Sequence, residues 1–283
     1  MRLLFSPLLL AVLACDGDAF KEPRVLGGVS VTAEVLNRGR ATYGRFCAVC
    51  HGDNGDGLGA QGVRLMTPPR DLRVGVLKFA GVPKGSMPRD ADLVRIASRG
   101  LAGTPMLPWG IGAPDLQAIA AYTKIFSTRR TKEPPGEAIE PGQDPWDLGP
   151  PSAALPTAAT PLALGRTLYH GKGRCVACHP ALLPMPEIAA VAAAANVPER
   201  DWKRDYLDSA VDVASEFGGF IRARDFTHDT LKVGKELPDL YRVIAAGVGG
   251  TPMPTLKGKL SEHELWALAA YVSHVNAYGG DRR

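Results

Sequence analysis

Apolar positions recur at helical spacing in two well-separated stretches of this chain. Leu116, Ile119, Ala120 and Thr123 follow at steps of one, three and four residues, and Leu265, Leu268, Ala269 and Val272 repeat the pattern. That spacing places one core-facing stripe on a helix. Each run follows a start signal: Ala113-Pro114-Asp115 in the first, and Ser261-Glu262-His263-Glu264, with the residues of a capping box, in the second. Each half also predicts a helix at about 32–46 or 161–170, and another at about 90–99 or 237–246.

The agreement goes beyond helix positions. Gly39-Arg40-Ala41-Thr42-Tyr43 corresponds to Gly165-Arg166-Thr167-Leu168-Tyr169, and Arg70-Asp71-Leu72 to Arg224-Asp225-Phe226. Leu93-Val94-Arg95-Ile96-Ala97 corresponds to Leu240-Tyr241-Arg242-Val243-Ile244. The same elements in the same order describe a duplicated unit, over 32–130 and 161–283. Glycines four residues before Tyr43 and Tyr169 would let the first and last helices of each unit approach closely. Between the units, residues 131–160 are rich in proline, alanine and acidic side chains and read as a semi-stiff extended linker. The second unit carries an insertion over 181–220 with an alanine-rich helix candidate, Glu187 to Asn196. It is read either as a shield or docking surface at that unit's site, or as a bland elaboration.

The N-terminus differs from the rest. Met1-Arg2 precedes the apolar run Leu3 to Ala14, a pattern of an export signal too short to span a membrane. Val12-Leu13-Ala14-Cys15 resembles a bacterial lipoprotein cleavage box. Cleavage there would leave Cys15 for lipid attachment, with 15–31 as a tether and the protein held at a membrane surface on the periplasmic or outer side. A plain secretory signal with an incidental cysteine is the alternative. The formal net charge of +4 is too weak and scattered to argue for nucleic acid.

The other four of the five cysteines lie in two copies of one motif, Cys47-Ala48-Val49-Cys50-His51 and Cys175-Val176-Ala177-Cys178-His179. Cys-x-x-Cys-His is the attachment pattern of a c-type haem. Its two thiols add across the vinyl groups, and the histidine is held beneath the iron as proximal ligand. Two covalently attached haems c are expected. Met106 and Met253 stand in matching Thr-Pro-Met loops stiffened by Pro105, Pro108, Pro252 and Pro254, and are the candidate sixth ligands. Met66, Met87 and Met185 have no matching partner and read as packing or surface.

The succession of Cys-x-x-Cys-His, Arg-Asp and a later Gly-Thr-Pro-Met before a closing helix resembles class I c-type cytochromes, here as an exported bacterial dihaem cytochrome with two tandem domains. The resemblance spans about 32–127 and 161–277. It implies all-α domains, His–Met ligation and single-electron transfer between redox partners. It also implies that Pro68 or Pro69 supplies the carbonyl that accepts the second ring proton of His51; Ala223 stands opposite Pro69 in the second unit. Arg70 and Arg224 are candidate partners of the haem propionates, or else surface ion-pair residues. Surface or secondary roles are expected for His170, His228, His263 and His274. The leading function is a non-enzymatic electron carrier. The alternatives are a peroxidase-like dihaem oxidoreductase with one open iron, and a cytochrome subunit of a larger respiratory membrane complex.

Overall fold

In the computed structural model, residues 18–146, 160–205 and 207–279 are described. The first half opens with a two-stranded antiparallel hairpin, β1 (Arg24–Leu26) and β2 (Val29–Val31). Its helices follow in the order α1 (Ala33–Phe46), α2 (Ala48–His51), α3 (Asp90–Arg99), α4 (Ala113–Thr123) and α5 (Thr128–Lys132). The second half contains α6 (Pro161–His170), α7 (Met185–Ala194), the hairpin β3 (Asp212–Ala214) and β4 (Phe220–Arg222), α8 (Leu237–Ala246) and α9 (Glu262–Tyr278).

In both halves the first helix crosses a later one at a glycine, α1 on α4 and α6 on α9. α1 buries Leu36, Gly39 and Tyr43, spaced to lie on one face. A Cβ on Gly39 would run into the backbone oxygen of Ala118 and come within 2.7 Å of the Tyr122 Cβ. Gly165 meets Ala267 and Tyr271 in the same way, again with 2.7 Å to the tyrosine Cβ. Only an absent side chain allows axes this close. Ser261 caps α9, accepting from the Glu264 N–H at 3.3 Å while Glu264 accepts from the Ser261 N–H at 2.8 Å.

The expected all-α architecture is corrected by the two hairpins. At β1–β2, Gly27 and Gly28 have φ of 61° and 83°, the positive values a two-residue hairpin loop demands. This hairpin also shortens the tether expected over 15–31, because Leu26 and Val31 are buried against Leu36 and Ala121. The linker expected over 131–160 is corrected in its first part. Ile139 is buried in the core of the second half, its N–H donating to the Gly81 carbonyl at 2.7 Å. Glu140 pairs with Arg89 at 2.9 Å and Arg242 at 3.6 Å, so the strap is fastened to both halves.

The halves also join directly. The Ala102 N–H donates to the Lys232 carbonyl at 2.9 Å, and the Gly249 N–H to the Lys78 carbonyl at 2.8 Å. Ala102 and Gly249 hold matching positions before their methionines, as do Lys78 and Lys232 after their arginines. The two bonds are therefore reciprocal, each half giving one donor and one acceptor at matching positions.

Candidate haem sites

Each Cys-x-x-Cys-His motif is wound tightly at the end of its half's first helix. The Cys47 N–H closes α1 on the Tyr43 carbonyl at 2.8 Å, and α2 carries Cys50 and His51. Gly52, with φ of 77°, then turns the chain away. The buried Tyr43 hydroxyl donates to the Gly52 carbonyl at 2.7 Å, and Tyr169 makes the matching bond to Pro180 at 2.8 Å. A tyrosine hydroxyl thus ties the first helix to the turn after the motif in each half.

The histidines are held by one ring nitrogen. His51 Nδ1 donates to the Arg70 carbonyl at 3.0 Å, and His179 Nδ1 to the Arg224 carbonyl at 2.8 Å. A carbonyl only accepts, so Nδ1 carries the proton and Nε2 keeps its lone pair for a metal. Burial lowers both histidines' pKa and favours the neutral ring that ligation requires. The carbonyl expected from Pro68 or Pro69 comes instead from the arginine after them. Any residue can offer a main-chain oxygen, so Ala223 in the second half changes nothing.

The thiols are also set by burial, which pushes Cys47 up to about 11 and Cys175 up to about 12. At these values both thiols stay neutral S–H groups near pH 7. Among the described residues no three His, Cys, Asp or Glu side chains converge to hold a metal ion directly.

The methionine loops are near copies. The Met106 N–H donates to Thr104 Oγ1 at 3.1 Å, and that hydroxyl donates to the Leu101 carbonyl at 2.7 Å. In the second half the Met253 N–H donates to Thr251 Oγ1 at 3.1 Å, which donates to Val248 at 2.9 Å. Both methionines are half-buried. Trp109, three residues past Met106, packs edge-on against Phe46 with centroids 5.7 Å apart, which brings this loop beside the first motif. In contrast, Met66 and Met185 are exposed and Met87 is core, so none shares this setting.

Residues 34–122 match the family model described as cytochrome c oxidase, cbb3-type, subunit III. They form a cytochrome c domain. Covalently bound haem c and electron transfer come with that assignment. The chain is also similar to a solved chain of the Kuenenia stuttgartiensis reducing HAO-like protein complex. That match has 27% identity and a TM-score of 0.62, and covers 83% of this chain and 94% of the other. No curated protein matches.

In the cytochrome c domain the motif's carbonyls are satisfied by a glycine-rich loop. Gly57 donates to His51 at 2.8 Å, Gly59 to Cys50 at 3.2 Å and Gln61 to Val49 at 2.9 Å. A Cβ at Gly59 would approach the Val49 carbonyl oxygen to 2.5 Å, so the loop fits only because it is bare there. The second half has no such loop, since Pro180 follows His179 directly. Arg204, from the 181–220 insertion, takes over. Its Nε donates to Val176 at 3.0 Å, and its Nη2 to His179 at 3.0 Å and Ser209 at 2.6 Å. The guanidinium holds two motif carbonyls, the Val211 N–H donates to the Cys178 carbonyl at 3.0 Å, and nothing in the local sequence marks Arg204 for this part. The tip of β3–β4 reaches the opposite half, where Arg70 lies over the Phe217 ring at 3.4 Å.

Of the remaining histidines, His228 and His263 are exposed, as expected, while His170 and His274 are buried. His170 is a core residue. Its Nδ1 donates to Arg166 at 2.8 Å and its Nε2 accepts from the Leu182 N–H at 3.0 Å, leaving neither nitrogen for a metal. Arg224 lies 3.6 Å from Asp229, whereas Arg70 makes no ion pair among the described residues. The export signal over 1–14 and Cys15 lie outside the described residues. No helix among the described residues is long and apolar enough to cross a membrane.

Proposed function

We propose that the chain is a dihaem c-type cytochrome passing single electrons between exported redox proteins. Haem c is attached through Cys47 and Cys50 in one half and Cys175 and Cys178 in the other. The axial ligands are His51 with Met106 and His179 with Met253. When bound, each haem supplies a one-electron iron couple. The chain's own task is to orient the imidazoles through the Arg70 and Arg224 carbonyls, keep Nδ1 protonated and seat the methionines in stiff loops.

The observation that carries this reading is the repetition of one construction. A ring nitrogen bonded to a main-chain carbonyl, and a threonine-braced methionine loop, occur in both halves. An electron carrier with both irons six-coordinate is favoured over an open-iron enzyme because both halves offer the methionine loop. The relative from the reducing HAO-like complex supports work beside a protein partner. Export and lipid attachment at Cys15 would hold the protein at the periplasmic face of a membrane.

Visible spectra of the purified protein, with a pyridine haemochrome count, test this. Two haems per chain, both low-spin and unmoved by carbon monoxide, are expected. A high-spin fraction that binds carbon monoxide would give the protein an open iron and overturn the carrier reading. Replacing Cys15 with serine should release the protein from the membrane fraction, and unchanged retention would end the anchor.

A further inference from the structure

The boundary between the halves holds a charge arrangement that neither half requires for its own packing. Arg70 and Arg224 present their carbonyls to the two motif histidines, so their side chains start beside the two sites. Lys78 and Lys232 follow at matching positions, and each gives its carbonyl to the methionine loop of the opposite half. All four side chains are only half-exposed.

These cations repel one another. Burial, with Lys232, Arg70 and Arg224 nearby, drives Lys78 down to about 8. Burial and Arg224 lower Lys232, and burial takes Arg70 to about 10. Carboxylates stand beside the group on both sides. Asp229 lies 3.6 Å from Arg224, and Asp71 is committed to Arg73 at 2.8 Å. Arg70, Lys78 and Lys232 make no ion pair among the described residues. Half-buried like charges at a joint are unfavourable unless anions arrive from elsewhere. The implied haems would each bring two carboxylates.

Resting on the two-haem reading, we propose that Arg70, Lys78, Arg224 and Lys232 form one cationic cradle across the joint, shared by the propionates of both haems. Each lysine then acts on the iron of the other half as well as its own. A positive charge near a haem favours the reduced state, whose net charge is one unit more negative. Removing any one of these charges should therefore disfavour reduction at both sites.

The test is a spectroelectrochemical titration of the full-length holoprotein and its Lys78→Gln and Lys232→Gln variants, with a haemochrome count on each. We expect both reduction waves to move to lower potential in each variant. Lys78→Arg, which keeps the charge, should leave both waves in place, a rescue that a purely structural role would not predict. If Lys78→Gln does not accumulate as holoprotein, Lys232→Gln asks the same question from the other half. Two haems with only one wave shifted, or neither, would overturn the shared cradle and leave the carrier reading intact. One haem per chain would bring down the dihaem reading, and the cradle with it.

Discussion

Arg204 Nη2 donates to the main-chain carbonyl of His179 at 3.0 Å, pinning the second motif from a segment that the first half lacks. Further bonds from the same guanidinium reach the carbonyls of Val176, Leu207 and Ser209. Arg204→Ala should leave these carbonyls without a donor and cost about 2 kcal/mol. Lysine should not restore the loss, because an ammonium lacks the planar fork. Urea unfolding and the mass of the motif peptide, with and without attached haem, read the effect. Haem loading should fall at Cys175 and Cys178 and stay full at Cys47 and Cys50.

The glycine crossings set a second expectation. Gly39→Ala and Gly165→Ala should each destabilise by about 2 kcal/mol or more, since the added methyl meets helix backbone that cannot rotate away. Gly44 lies on the same helix but faces open space. Gly44→Ala should be neutral or stabilising by up to about 1 kcal/mol. Thermal melts of the three variants decide it, and equal behaviour of Gly39 and Gly44 would refute the crossing argument.

Ile139 is 2% exposed although it lies in a stretch whose composition suggests a spacer. Ile139→Ala should cost about 2–4 kcal/mol, the range for emptying an aliphatic core site. A free linker would show no change in the denaturation midpoint.

The methionine loops make the sharpest chemical prediction. Met106→Leu and Met253→Leu keep volume but remove the thioether, so each should let one equivalent of carbon monoxide bind and lower one reduction potential. Carbon monoxide difference spectra check this for each variant. A variant that stays closed to the gas would mean that another residue holds that iron.

The hydroxyls of Tyr43 and Tyr169 hold the turn after each motif. Phenylalanine at either position should cost about 1 kcal/mol, leaving a buried carbonyl short of its donor. Chemical denaturation of the single variants measures it.

The two motifs, the threonine-proline-methionine loops and the long helices were all readable along the chain. They depend on neighbours within a few residues: a two-residue gap between thiols, a capping serine, a stripe at helical spacing. Gly39 and Gly165 were legible too, because their recurrence before a tyrosine marked a shared packing role. The short hairpins were harder to see, since three-residue strands carry little pattern and depend on a glycine turn.

What only the tertiary structure decided are the partners that come from far along the chain. The main-chain oxygens facing His51 and His179 carry no residue signature, so proline was expected where arginine serves. Arg204 looked like any charged residue of a polar segment until folding laid it beneath a motif 25 residues away. Ile139 became core, and the Lys78 and Lys232 carbonyls came to face the opposite methionine loops, through the docking of one half on the other. Local chemistry is written in neighbouring side chains. Burial, repulsion and the choice of hydrogen-bond acceptor are set by what the folded chain brings alongside.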